Sequence, residues 1–115
     1  MADALDGLGR PKAVTIAQII KSTLDEYGIP SEFGQWLKDR RNRRQIPPRF
    51  ESCGYTSVRN PDAEDRLWKI SGSRQVIYAA TTERRQGQAV GLSREEQLKS
   101  AKDLAAGRRR GQWGQ

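Results

Sequence analysis

An α+β domain is what this sequence predicts, and three observations carry the expectation. Apolar residues recur at three- and four-residue steps through the first half of the chain. After Gly54 the pattern shortens to β-branched and aromatic runs separated by turn residues. Between the two lies "LKDRRNRRQIPPRFESCGY", residues 37–55, in which a dense cationic block ends at two consecutive prolines and then turns apolar. A solvated arginine run needs no such sequel, so the charge is expected on a folded element.

With 115 residues, 35% hydrophobic and 30% charged, the chain is sized for one domain with a small core and some unpacked length. The opening stretch, 1–12, "MADALDGLGRPK", lacks the basic start and apolar run of a secretory signal, and is expected as a disordered leader. No apolar run approaches the ~20 residues that span a bilayer. The single Cys53 fits a reducing compartment, so a cytoplasmic location without membrane contact is expected.

The first helix is read over 14–28. Ile16, Ile19, Ile20, Thr23, Leu24 and Tyr27 share one helical face, Thr15 and Gln18 have capping-box spacing, and Gly28 offers a stop. The second starts from Ser31 as N-cap, places Phe33, Trp36 and Leu37 on one side and ends near Asn42; Gly34 weakens it by about 1 kcal/mol against alanine. In the third, Pro47 and Pro48 mark a first turn, where a missing N–H is harmless. Ile46, Phe50 and Cys53 line its inner face, and Gly54 closes it.

Strands follow at "YTSVRN", "RLWKI" and "RQVIYAA", with "PDAED" a loop and "SGS" a tight turn. Trp68 and Ile70 share one face of their strand, Val76 and Tyr78 one face of the next. The stretch 81–91 reads as a linker, 92–107 as a separate C-terminal helix with a Ser93–Glu96 capping box, and 108–115 as a basic disordered tail. Three helices followed by a strand and a hairpin, with little chain between helices two and three, is the order of a winged helix: a helix-turn-helix core with a small antiparallel β-hairpin wing, here over 13–80.

Charge distribution points to function. The formal net charge is +7, yet 1–37 is net −2 and 50–80 neutral; +5 falls in 38–49 and +4 in 81–115. Positive charge gathered in blocks is the footprint of a polyanion binder. In helix-turn-helix docking the N-terminal end of the recognition helix enters the major groove. Lys38, Arg40, Arg41, Arg43 and Arg44 are placed to meet phosphates, and Gln45 and Arg49 to reach base edges. A solvated helix end is the competing reading, and Asn42 reads equally as a turn residue. Arg59, Arg66, Lys69 and Arg74 are the wing candidates, against cross-strand pairing with Asp62, Glu64 and Asp65. Trp36, Trp68, Tyr55 and Tyr78 fit core positions better than base-stacking ones.

Enzymatic chemistry lacks its parts. There is no histidine, one cysteine, and no glycine frame leading to the Lys-Ser/Thr of a phosphate loop, so no catalytic group, metal or cofactor is expected.

Residues 36–79 resemble a known family. The blocks "NRRxIPxR", "CGYxxVRNPDAxDxLWKI" and "RQVIYA" are similar to the winged-helix module of primase–helicase replication proteins of phages and plasmids. The resemblance covers about two-fifths of the chain and implies that the module binds DNA, expected to be double-stranded, or nucleates assembly at an origin, in replication or its control. Primase and ATPase regions have no counterpart here. Two other classes stay open: an interaction adaptor or inhibitor meeting a replication protein or other partner through 92–107, and a structured-RNA binder.

Overall fold

The computed structural model describes residues 1–107. The basic tail expected over 108–115 lies outside the described residues. Those described form an α+β fold of five α-helices, a 3-10 helix and three small antiparallel sheets.

The centre is a three-stranded sheet. Strand β1 (Ala13–Thr15) and strand β2 (Tyr55–Val58) flank β5 (Ile77–Ala80), both antiparallel to it. Register pairs Val14 with Tyr78, Thr15 with Ile77, Tyr55 with Ala80 and Val58 with Ile77. All four residues of β5 are buried, so the strand is covered on both faces. One face carries Val14, Tyr55, Tyr78 and Ala80 into a core with Leu5, Ile19, Leu37, Ile46 and Phe50. The other carries Ala13 and Ile77 into a second cluster with Trp68 and Ala101.

Helices α2 (Ile16–Ser22), α3 (Glu32–Lys38) and α4 (Ile46–Ser52) cover the first face. Phe50 is the hub, its ring stacked on Tyr78 at a centroid distance of 3.7 Å and edge-on to Tyr55 at 6.3 Å. The capping box at Thr15 and Gln18 is present as expected, and its position explains β1. Thr15 must be extended to cap, so the residues before it leave the helix and pair with β5 instead. The first helix is therefore shorter than 14–28. Thr23 ends it, and Asp25 folds the following turn by accepting the backbone N–H groups of Tyr27 (2.8 Å) and Ile29 (3.0 Å). Tyr27, expected on the apolar face, is 79% exposed.

Gly34 sits inside α3 for a packing reason. A Cβ there would stand 2.3 Å from the Thr23 hydroxyl and 2.9 Å from Pro30 Cβ, so only glycine lets α3 approach the end of α2 this closely.

Three expectations need correction. The leader is not disordered: residues 2–7 form helix α1 (Ala2–Gly7), anchored by the fully buried Leu5. The linker is a hairpin, β6 (Thr82–Arg85) with β7 (Gln88–Gly91), turning at Gln86 (φ 52°) and Gly87 (φ 79°), positive values at both central residues as in a type I′ turn. The C-terminal helix α5 (Arg94–Ala105) is not separate. It packs on β1 and β5, with Ala101 buried and Leu98, Leu104 and Ala105 beside it.

The expected wing hairpin exists in a shorter form. Strand β3 (Trp68–Ile70) pairs with β4 (Ser73–Gln75) through a turn at Ser71 (φ 51°) and Gly72 (φ 83°). The run 74–80 thus divides at Val76, its first part pairing in the hairpin and its second in the central sheet. Trp68 is buried, and its indole N–H donates to the Val58 carbonyl at 2.8 Å. Among the described residues no helix is long and apolar enough to cross a membrane, and no group of His, Cys, Asp and Glu side chains is placed to hold a metal ion.

Candidate nucleic-acid interface

The cationic block is helical on both sides of Asp39, which is extended. Lys38 ends α3, and Arg40–Gln45 form a 3-10 helix that runs directly into α4. The expected turn between helices two and three is thus itself a tight helix. Its start is fixed by Asp39, whose carboxylate accepts the Arg41 N–H at 2.9 Å and pairs with the Arg41 guanidinium at 2.8 Å. Asn42 closes the preceding helix by donating from Nδ2 to the Trp36 carbonyl at 3.0 Å. Its end is fixed by Pro47 and Pro48, which lack the N–H groups that would reach the Arg44 carbonyl at i+3 and i+4.

This geometry sorts the arginines. In a 3-10 helix, residues three apart eclipse one another. Arg40 and Arg43 therefore form one row, Arg41 and Arg44 a second. The first row faces a groove of about 560 Å³, whose rim also includes Lys38, one acid, Asp39, and, from the β3–β4 hairpin, Arg74. The floor is apolar, built from Ile16, Leu37, Ile46, Pro47, Leu67, Val76 and Tyr78. Burial pushes the Tyr78 phenol above its ordinary value, so it stays neutral there.

Of the eleven candidates, the groove gathers Lys38, Arg40, Arg43 and Arg74. Arg44 and Gln45 are exposed on the 3-10 helix away from it, and Arg41 is held by Asp39. Arg49 lies over the Trp36 ring, 4.4 Å from its centroid, so part of its charge serves a cation–π contact. Arg59 follows β2 and is exposed. Arg66 adopts a left-handed backbone (φ 62°) in the loop before the hairpin and donates to the Pro61 carbonyl. Lys69 and Arg74 stand directly opposite each other across the hairpin. Cross-strand pairing with the loop acids is realised once, as an ion pair between Arg74 and Asp65.

Electrostatics leave most of these cations uncompensated. The Arg41 side chain and backbone N–H hold the Asp39 carboxyl below the usual range, and Arg74, helped by the Leu67 N–H, does the same for Asp65. Lys38, Arg40, Arg43, Arg44, Arg59 and Lys69 make no ion pair among the described residues. Two cations about 6 Å apart in water repel by roughly 0.7 kcal/mol. Each such neighbour is a small standing cost that the fold tolerates.

The groove floor is what the sequence did not flag. Ile16, Val76 and Tyr78 are ordinary core residue types, and the "RQVIYA" block that holds the last two does not mark them as groove residues. Gln75, beside Arg74 on the rim, had one usable signal: its place next to a cation in an alternating strand. Compared with protein-family models, curated proteins and solved structures, the chain matches none.

Proposed function

We propose that this chain is a winged-helix DNA-binding protein of a phage or other mobile element, acting in DNA replication or its control without chemistry of its own. The carrying observation is the groove at which Lys38, Arg40 and Arg43 meet Arg74 from a different element. Arg74 is partly occupied by Asp65, but Lys38, Arg40 and Arg43 have no acidic partner among the described residues. Cations gathered at one groove from three elements suit a phosphate backbone. The directly opposed Lys69 and Arg74 add to it, since like charges facing across a hairpin destabilise it.

The winged-helix assignment rests on element order and on the strand order β1–β5–β2, with β3–β4 as the wing inserted between β2 and β5. In this reading the 3-10 helix and α4 form the recognition element, presenting the Arg40 and Arg43 row. Replication and a mobile-element source rest on the resemblance of residues 36–79, which contains all eleven candidate residues. The adaptor reading loses ground because the apolar residues of α5 already cover the sheet.

The test is a salt titration of binding to duplex DNA, single-stranded DNA and structured RNA. Four phosphate contacts give a log–log slope near −3.6, steepest on duplex. A preference for structured RNA would move the proposal to RNA, and no binding at low salt would sink it.

A further inference from the structure

The α2–α3 pair has two unlike ends. At one end, Ile16 and Lys38 belong to the basic groove. At the other, the chain turns between Ser22 and Glu32 and presents Leu24, Tyr27 and Ile29, 41%, 79% and 54% exposed. These are the large hydrophobic side chains exposed on the described surface. Single exposed apolar residues are ordinary, but three on one short turn make a patch.

The turn is stiff. Leu24 and Pro30 form an isolated bridge, the Asp25 N–H donates to the Ile29 carbonyl at 2.9 Å, and the Asp25 carboxylate takes two backbone N–H groups. Little ordering entropy remains to be lost when such a turn is bound. Its free charges are mainly acidic: Glu26 and Glu32 are exposed and unpaired, with Lys21 as the nearest cation in sequence.

An apolar turn rimmed by glutamates is the complement of an apolar groove on whose rim Lys38, Arg40 and Arg43 make no ion pair among the described residues, while Asp39 there is taken by Arg41 and Arg74 by Asp65. Its 560 Å³ is of a size that encloses several side chains. We propose that the Leu24–Ile29 turn of one copy docks in the basic groove of a second copy of this chain. Because turn and groove lie at opposite ends of α2 and α3, the contact is head-to-tail. Each joined pair keeps one free turn and one free groove, so assembly continues as a chain or closes as a ring. If the groove also binds DNA, which rests on the function proposed above, DNA and the second copy compete for it.

Sedimentation of the full chain without nucleic acid, from about 10 µM to 1 mM in about 0.1 M salt, tests the contact. At that ionic strength repulsion between the net-positive molecules is largely screened beyond ~10 Å. The average mass is expected to rise with concentration and to fall back in about 1 M salt. Tyr27→Ser with Ile29→Ser, and separately Arg40→Glu with Arg43→Glu, should each remain monomeric, with melting curves showing that both stay folded. Mixed, the two variants supply one intact turn and one intact groove, so they should form a 1:1 dimer that grows no further. A wild-type chain monomeric throughout, a turn variant that still associates, or a mixture that stays monomeric would each overturn the proposal.

Added duplex should disperse the wild-type assembly, and the turn variant should bind duplex like wild type when dilute. Assembly that persists with DNA bound would overturn the competition. Failure of dilute chain to bind any nucleic acid would instead remove the proposed function and leave the mass data intact.

Discussion

The two faces of the central sheet are built differently. The face under α2–α4 is large and aromatic: Phe50 stacks on Tyr78, and Leu5, Ile19, Leu37 and Ile46 surround them. The face under α5 is assembled largely from small residues, Ala13 and Ala101, with Ile77 and Trp68 at their side. The first face is centred on stacked aromatic rings, while on the second the buried positions contributed by β1 and α5 are alanines. The aromatic face also ends in the charged groove, since Tyr78, Leu37 and Ile46 are both core and groove floor. The contrast says where each kind of substitution should hurt.

The largest effect is expected from Phe50→Ala, which removes a fully buried ring and its stack: about 3–5 kcal/mol in a denaturant titration. A loss below 1 kcal/mol would mean the aromatic face collapses to fill the space. On the alanine face the sharper probe adds volume. Ala101→Leu forces methyl groups into the contact between α5 and the sheet, at a cost of about 1–3 kcal/mol and with loss of amide protection across 94–105. Unchanged stability, with fast exchange there, would leave α5 detached and the second face open.

Groove substitutions should separate binding from stability. Arg40→Ala with Arg43→Ala is expected to leave the melting curve within about 0.5 kcal/mol while lowering the salt slope of duplex binding by about two units. Arg41→Ala with Arg44→Ala, the matching pair in the other row, should leave the slope nearly unchanged. Equal slopes for the two rows would refute the orientation set by the 3-10 helix.

The smallest effect concerns acid. Asp65 has its pKa lowered first by the Arg74 side chain and then by the Leu67 N–H. A depressed carboxylate adds stability above its unfolded pKa, near 3.9, and that contribution disappears as pH falls through the lower folded value. The pair is exposed, so the change in melting should be slight. A carboxylate titration by NMR checks it: the Asp65 midpoint should rise toward the ordinary range in Arg74→Ala, with the Leu67 N–H still holding it somewhat low.

Reading the sequence succeeded where a residue acts on its neighbours. The caps at Thr15, Ser31 and Ser93 are local hydrogen bonds, and all three are present. It failed where the partner is distant or the signal weak. Ala13–Thr15 looks like a helix start, because nothing nearby reveals that Ala79 waits to pair with Ala13. Helix α1 has six residues, too few to be stable alone, and exists because Leu5 finds a core. The β6–β7 turn uses Gln-Gly, a weaker cue than Asn-Gly, between strands poor in apolar residues. Docking of α5 was hidden because alanines make a faint stripe. For the groove, Lys38, Arg40, Arg43 and Arg74 were all legible as cations. Which of the eleven candidates converge was not, because that depends on the 3-10 repeat and on the hairpin folding back toward it.

The position of β5 sets an order on folding. Its partners, Ala13–Thr15 and Tyr55–Val58, cannot pair with each other, since β5 lies between them in the sheet. A growing polypeptide that stops short of Ile77 can form helices and local turns but no central sheet. Joining Ala13 to Ala79 then closes a long loop late, when most of the chain already exists. Such a pairing makes for slow folding relative to a helical bundle of the same length. Until it forms, neither α2–α4 nor α5 has a sheet to pack on, and completion of one short strand converts a string of marginal helices into a cooperative unit.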